Sequence, residues 1–249
     1  MSTSIVAAKE QIQRWYVDQR QSMAQIARRL AMPVQQVRAI AQEERWVWRP
    51  LRTFAQSQRG TLVMVLDLET SGLPRTQGFN RYFPYVDCSA YDSARIVQLA
   101  FTCFRIGESV TRDQIVSLFR RPDGFTISPE AQEITQLDTQ WLDAHGQTIQ
   151  AVLAPLLEAL PRCTYILAHN AAFDINILKN ELFRLGHSTH QIEDMWFPDH
   201  KVRCTCRLTD YTRLGVLHAW IPNPSSLAFH NAQDDVLALA EIINFLSLE

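Results

Sequence analysis

Two carboxylates two residues apart, Asp67 and Glu69, close the apolar run TLVMVLDLE at residues 61–69. In an extended strand, residues i and i+2 project from the same face, so both groups would leave the end of a buried strand together. Carboxylates that close repel unless a proton or a cation lies between them. An all-oxygen donor set suits Mg²⁺ or Mn²⁺ better than zinc. An isolated Asp-x-Glu is ordinarily a solvated pair, but two further segments change its meaning. In ILAHNAAFDINIL, residues 166–178, an apolar strand runs into a polar turn. Asp174 then falls near the start of the next helix, where the dipole favours a carboxylate. In HNAQDD, residues 230–235, His230 and Asp235 are five positions apart. Five residues turn a helix by about 140°, so the two meet only if His230 lies on the loop before the helix and Asp235 in its first turns. The small Ala232 lets that terminus approach the sheet, and Asp234 is expected to point elsewhere as a helix-start acid.

The elements that must position these groups are legible in the hydrophobic pattern. Residues 61–69 read as a buried central strand. RIVQLAFTCFRI (95–106) and VTRDQIVSLFRR (110–121) flank Gly107-Glu108-Ser109 and read as a hairpin. Helical patterns follow at 129–138 and 148–160, then a strand at 164–169, a helix at 171–185 stopped by Gly186, and a terminal helix at 231–248. Strands giving way to alternating helices and strands predict an α/β domain with a mixed sheet.

The segments Asp67-Leu-Glu-Thr-Ser-Gly, His169-Asn-Ala-Ala-Phe-Asp174 and His230-Asn-Ala-Gln-Asp-Asp235 resemble the three motifs of the DnaQ-like, or DEDDh, exonuclease family. That family includes the proofreading subunit of bacterial replicative polymerase, ribonuclease T and animal exonucleases of the TREX type. ARIVQLAF and VRCTCRLT are similar to its second strand and to the segment after its second motif. Three motifs in order are far more specific than any one. The resemblance implies a ribonuclease-H-like mixed sheet flanked by helices and 3′→5′ hydrolysis of nucleic acid, releasing nucleoside monophosphates. It implies two Mg²⁺ (or Mn²⁺) ions held by Asp67, Glu69, Asp174 and Asp235, with His230 as general base. It places Thr70, Ser71, Leu73, Asn170 and Phe173 near the terminal nucleotide. DNA is the expected substrate ahead of RNA; an exoribonuclease, or a DNA-binding regulatory protein using the fold as scaffold, are the competing readings.

Composition fits a folded chain with an uneven charge. The 249 residues are 47% hydrophobic and 20% charged, which excludes wholesale disorder. No stretch approaches the ~20 apolar residues that span a bilayer, and the start lacks a signal-peptide core, so no membrane partner and a cytoplasmic location are expected. Five irregularly spaced cysteines suit a reducing compartment. Residues 1–60 carry ten Lys/Arg against four Asp/Glu, a net of +6, so the overall −2 leaves −8 for residues 61–249.

That basic head, residues 1–49, resembles a small all-α helix-turn-helix domain and is expected to bind DNA. Ile26, Ala27 and Leu30 fit a first helix, Ala31-Met32-Pro33 a turn, and Val34, Val37 and Ile40 the buried face of a recognition helix. Gln35, Gln36 and Arg38 would then be exposed to nucleic acid. Residues 50–60 read as a linker and 61–249 as the exonuclease domain. The connection 74–94 carries Tyr82, Tyr85 and Tyr91 with arginines, which could stack bases but more simply packs as a loop. A zinc site from His200, Cys204, Cys206 and His218 is disfavoured by the tight Cys-x-Cys spacing. The family resemblance leaves a homodimer open, and the sequence supports neither a polymerase nor a sliding-clamp partner.

Overall fold

The apolar run after residue 61 is buried from both sides. In the computed structural model, which describes residues 3–19, 21–78 and 80–249, it forms β1 (Leu62–Thr70), the middle of a five-stranded sheet. Val63, Met64, Val65 and Leu66 have no exposed surface, which explains why the run does not alternate. β2 (Ile96–Arg105) pairs antiparallel to β1, and β3 (Val116–Phe119) antiparallel to β2. On the other side β4 (Tyr165–Ala168) runs parallel to β1, and β5 (Val202–Cys204) parallel to β4 at the edge. The order is β3-β2-β1-β4-β5. The register sets Asp67 opposite Ala100 and Glu69 opposite Gln98, and it shifts between Glu69 and Thr70. Such irregularities re-aim a chain as it leaves a ladder.

Helices cover both faces, as the alternating pattern predicts. Before β1 lie α1 (Thr3–Gln13), α2 (Met23–Leu30), α3 (Val34–Glu43) and α4 (Arg49–Ser57). Between β3 and β4 come α5 (Pro129–Thr135), α6 (Thr139–His145) and α7 (Ile149–Ala159), and α8 (Ala171–Arg184) follows β4. The chain then forms α9 (Thr205–Leu208), α10 (Leu214–His218) and α11 (Ala232–Leu248). One core packs α7 and α8 with Tyr85 and Tyr91 against the sheet; the other packs α11 and residues from α1 to α4. Buried Glu181 on α8 accepts from Arg95 Nε at 2.8 Å and Arg120 Nη1 at 2.5 Å, fastening that helix to the β2 side of the sheet. Among the described residues no helix is long and apolar enough to cross a membrane.

Several boundaries move for local reasons. Residues 111–114 close a capped 3-10 turn, Thr111 reciprocating with Gln114, so the second strand of the expected hairpin begins only at Val116. The helix expected over 129–138 stops at Thr135 because Gln136 turns left-handed (φ 59°), and Asp138 caps a separate helix, α6. Strand β5 has three residues, too few to leave a periodic signal.

The expected linker is a correction. Residues 49–57 are helical, with Pro50 in the first turn, where a proline fits. Leu51 and Ala55 are fully buried, and Phe54 meets Tyr165 edge-on at 5.3 Å. Trp48 is 2% exposed, its ring 5.6 Å from Trp220 and 5.5 Å from Phe245. The basic head therefore shares a core with the body instead of hanging from a tether. Its two helices around Ala31 form as expected, with a Ser22–Gln25 capping box and Ala31 left-handed at φ 50°. Gln35 and Gln36 are exposed. Arg38 is not free for nucleic acid: its Nε donates to Asp210 at 3.2 Å, and Gln42 donates to Thr212 at 3.1 Å.

Truncating a buried aromatic that bridges two helical layers costs about 3–5 kcal/mol. Trp48→Ala is expected to lose that much in chemical denaturation, in one cooperative transition for head and body; an early transition of the head alone would show that the two do not share a core.

Candidate functional site

Three of the sequence-predicted carboxylates converge where β1 leaves the sheet. Asp67 and Glu69 project from β1, and Asp235 comes from the first turn of α11; one oxygen from each lies within 4.8 Å of the others. Asp174, in the first turn of α8, is 2% exposed and close enough to raise the proton affinity of Asp67 and Glu69. His230 sits on the loop before α11 with a left-handed backbone (φ 68°), and its amide donates to Asp235 Oδ2 at 3.3 Å. The side chain of His230 is exposed at the rim.

The start of α11 is aimed by groups that a motif search passes over. Gln98, on β2 opposite Glu69, is 1% exposed. Its Oε1 accepts from the amide of fully buried Ala232 at 3.3 Å, and its Nε2 donates to Asn231 Oδ1 at 3.4 Å. Asn231 in turn caps the helix by accepting from the Gln233 amide at 3.1 Å. Asp234 points away from the cluster, as expected, but does more than face the dipole. It is 5% exposed, accepts from the Ala228 amide at 2.7 Å and pairs with Arg112, so it fastens the loop that carries His230.

Burial and mutual repulsion act on the cluster in the same direction. Loss of hydration, then the charges of Asp174, Asp235 and Glu69, hold the Asp67 carboxyl well above its ordinary range. Loss of hydration, then Asp235 and Asp174, push Glu69 up to about 8. Burial also lifts Asp174 to about 8, although backbone amides of Asp174 and Leu68 hydrogen-bond its charged form. Asp235 rises to about 6, again chiefly by burial, with the His230 amide and imidazole opposing. Asp235 Oδ1 is buried without a hydrogen-bond partner. Oxygen-only donors, one of them unsatisfied, in a cluster that resists ionising fit a divalent cation.

A cleft of about 960 Å³ opens over the cluster. Of the residues expected beside a terminal nucleotide, Leu73, Asn170 and Phe173 line it. Thr70 and Ser71 do not: Thr70 Oγ1 donates to the Gly72 carbonyl at 2.8 Å, while Ser71 Oγ donates to Ser93 O at 3.1 Å and accepts from the Arg95 amide at 2.9 Å. Thr70 is buried at the end of β1 and Ser71 in the turn that follows. The tyrosines of 74–94 divide: Tyr85 and Tyr91 are core, whereas half-buried Tyr82 is hydrogen-bonded by the Asn170 side chain near Asp174. His169, half-buried and held down to about 4 by desolvation, is neutral at the cleft wall, with Nδ1 3.2 Å from Thr205 Oγ1. Tyr211 and Arg213 also line the cleft; only the fold brings that segment to the site. Of the weighed zinc ligands, His218 lies buried with Nε2 2.6 Å from Glu241.

Comparison with known proteins bears on the fold and the family. Among solved structures, Escherichia coli exonuclease I in a zinc-bound complex with single-stranded DNA aligns at a TM-score of 0.55 with 17% identity, over 76% of this chain and 41% of that one. A moderately thermophilic exonuclease I from Methylocaldum szegediense aligns equally, at 0.55 with 18% identity over 76% and 41%. The chain thus spans about two fifths of the length of these neighbours, and at such identity the likeness is one of fold. No curated protein matches the sequence. The family model described as exonuclease, of the RNase T type, matches residues 64–243, from inside β1 to inside α11, and by that match the chain belongs to the RNase T-type exonuclease family.

Proposed function

We propose that the protein removes nucleotides one at a time from the 3′ end of DNA, hydrolysing the terminal phosphodiester with two Mg²⁺ or Mn²⁺ ions and releasing nucleoside monophosphates. The observation that carries this reading is the convergence of Asp67, Glu69 and Asp235 within 4.8 Å, beside buried Asp174. Asp67, Glu69 and Asp235 would hold one cation, and Asp67 with Asp174 the other. Bound there, the cations supply charge stabilisation to the attacking and leaving oxygens of an in-line displacement. His230 takes the proton from the attacking water: its imidazole is exposed to the cleft while its amide is tied to Asp235, which fixes the ring's origin. Leu73 and Phe173 offer apolar surface for the terminal nucleoside, and Asn170 a polar edge. The exonuclease I neighbour complexed with single-stranded DNA supports DNA as the polymer. Exposed Gln35 and Gln36 leave α3 of the head able to touch DNA, whereas Arg38 serves the head's attachment to the body.

A panel of 3′-labelled single-stranded DNA, duplex DNA and RNA, digested with Mg²⁺ or Mn²⁺, tests the assignment. Single-stranded DNA should lose its label first, EDTA should stop the reaction, and His230→Ala should lower kcat by about 10²–10⁴. Asp67→Ala should reduce digestion to background while remaining folded; full activity in that variant would sink the proposal.

The raised carboxyl pKa values also predict a pH dependence of stability. Unfolded Asp and Glu titrate near ~4, so between that pH and about 8 the folded protein keeps protons on Glu69 and Asp174 that the unfolded chain sheds. The unfolded state binds fewer protons across this window, and stability without metal falls as pH rises through it. In EDTA the melting temperature should therefore drop from pH 5 to pH 8, and Mg²⁺ should raise it more at pH 8. A melting temperature independent of both pH and Mg²⁺ would contradict the buried-cluster account.

A further inference from the structure

A second hollow, of about 560 Å³, opens at the opposite end of β4 and β5 from the carboxylates. Arg162, Thr164, Tyr165, His200, Lys201 and Arg203 form most of its wall, and among the described residues no carboxylate lines it. Among the described residues Arg162, Lys201 and Arg203 form no ion pair. Arg203 is held in place, its guanidinium 4.6 Å over the Tyr165 ring and its Nη1 donating to the Val202 carbonyl at 2.9 Å. Unneutralised cations gathered in a concavity are costly in self-repulsion, and unexpected on a body that carries −8.

One segment joins this hollow to the catalytic cleft. Residues 200–213, HKVRCTCRLTDYTR, contribute His200, Lys201 and Arg203 to the hollow and Cys206, Tyr211 and Arg213 to the cleft. Between them lies exposed Arg207. The single acid of the segment, Asp210, is paired by Arg38 of the head. Lys201 and Arg203 thus face the hollow, Arg207 the solvent and Arg213 the cleft, with the one acid of the segment already taken. β5 is the edge strand, so no further strand covers this route.

We infer that residues 200–213 form a phosphate track: the hollow holds a backbone phosphate of a single-stranded nucleic acid whose 3′ end occupies the carboxylate cleft. The inference rests on the nuclease reading for the direction of the strand, not for the binding itself. The head thereby acquires a role beyond any base contact of its own, because Arg38 pairs with the one acid that the segment itself contributes. From Tyr165 to His169 the chain advances about 13 Å, a span of at most about four nucleotides even at the ~3.4 Å rise of stacked duplex DNA. A thymidine monophosphate seated in the cleft is too short to reach the hollow, and a dodecanucleotide is long enough.

Fluorescence anisotropy of labelled thymidine monophosphate and of a twelve-nucleotide deoxythymidine oligomer in EDTA, at several salt concentrations, tests the track. Neutralising two cations should lower the salt slope for a single strand by about 1.4. Arg162→Gln/Lys201→Gln should therefore bind the oligomer about 10-fold more weakly at low salt, with an unchanged melting temperature, and Lys201→Arg should restore most of the affinity lost at that position. Equal affinity and equal salt slope in wild type and double variant would overturn the track, whether or not the wild type trims 3′ ends. If instead the double variant shows the loss while the wild type leaves 3′ ends intact in Mg²⁺, the track stands and the nuclease reading fails.

Discussion

Four carboxylates share a site too dry and too crowded for all of them to carry charge unaided. Burial and mutual repulsion lift Glu69 and Asp174 to about 8 and Asp67 well above its usual range, and this constraint organises much of what surrounds them. β1 must be central and covered on both faces to bring Asp67 and Glu69 out together. Helices α8 and α11 must begin at the same sheet end, so that their first turns deliver Asp174 and Asp235. Neither helix is left to find its place by apolar packing alone. Glu181, between Arg95 and Arg120, fixes α8, and Gln98 fixes the first residue of α11. A cluster so held is unfavourable without a counter-charge, and a divalent cation of the proposed kind supplies one.

The same electrostatic logic extends to the head. Its positive charge makes it look like an independent nucleic-acid module, yet Trp48, Leu51 and Ala55 are buried in the core that also holds α11. Arg38 and Gln42 spend their polar groups on the loop 209–213, whose Tyr211 and Arg213 line the cleft. Asp210 and Tyr211 are both left-handed, at φ 49° and 60°, a backbone state uncommon for non-glycine residues and favoured when neighbours hold it. The ion pair from α3 is one such restraint, so the head helps to shape one wall of the cleft.

Much of this was legible in the sequence, and what was not has physical causes. The central strand, the helices after residues 170 and 231, and the placement of His230 before a helix followed from apolar periodicity and from the 3.6-residue turn. The helical nature of 49–57 was hidden because its apolar residues, Leu51, Phe54 and Ala55, are few and acquire meaning only against α11 and Tyr165; Pro50 at the helix start was the one local signal. Strand β5 was hidden by its length. Thr70 and Ser71 match a motif, but a motif does not say which way a side chain turns, and both are consumed by the turn after β1. Gln98 and Arg213 had no sequence signal at all, since each reaches the site only through sheet register or chain return.

The central claim is that the carboxylate cluster exists to hold divalent cations, and calorimetric titration of Mn²⁺ into the protein without nucleic acid tests it most directly. The account predicts saturable binding that strengthens from pH 6 to pH 8, as protons leave Glu69 and Asp174, and that Asp67→Asn abolishes. Absence of saturable binding at pH 8, or binding unchanged in Asp67→Asn, would contradict it.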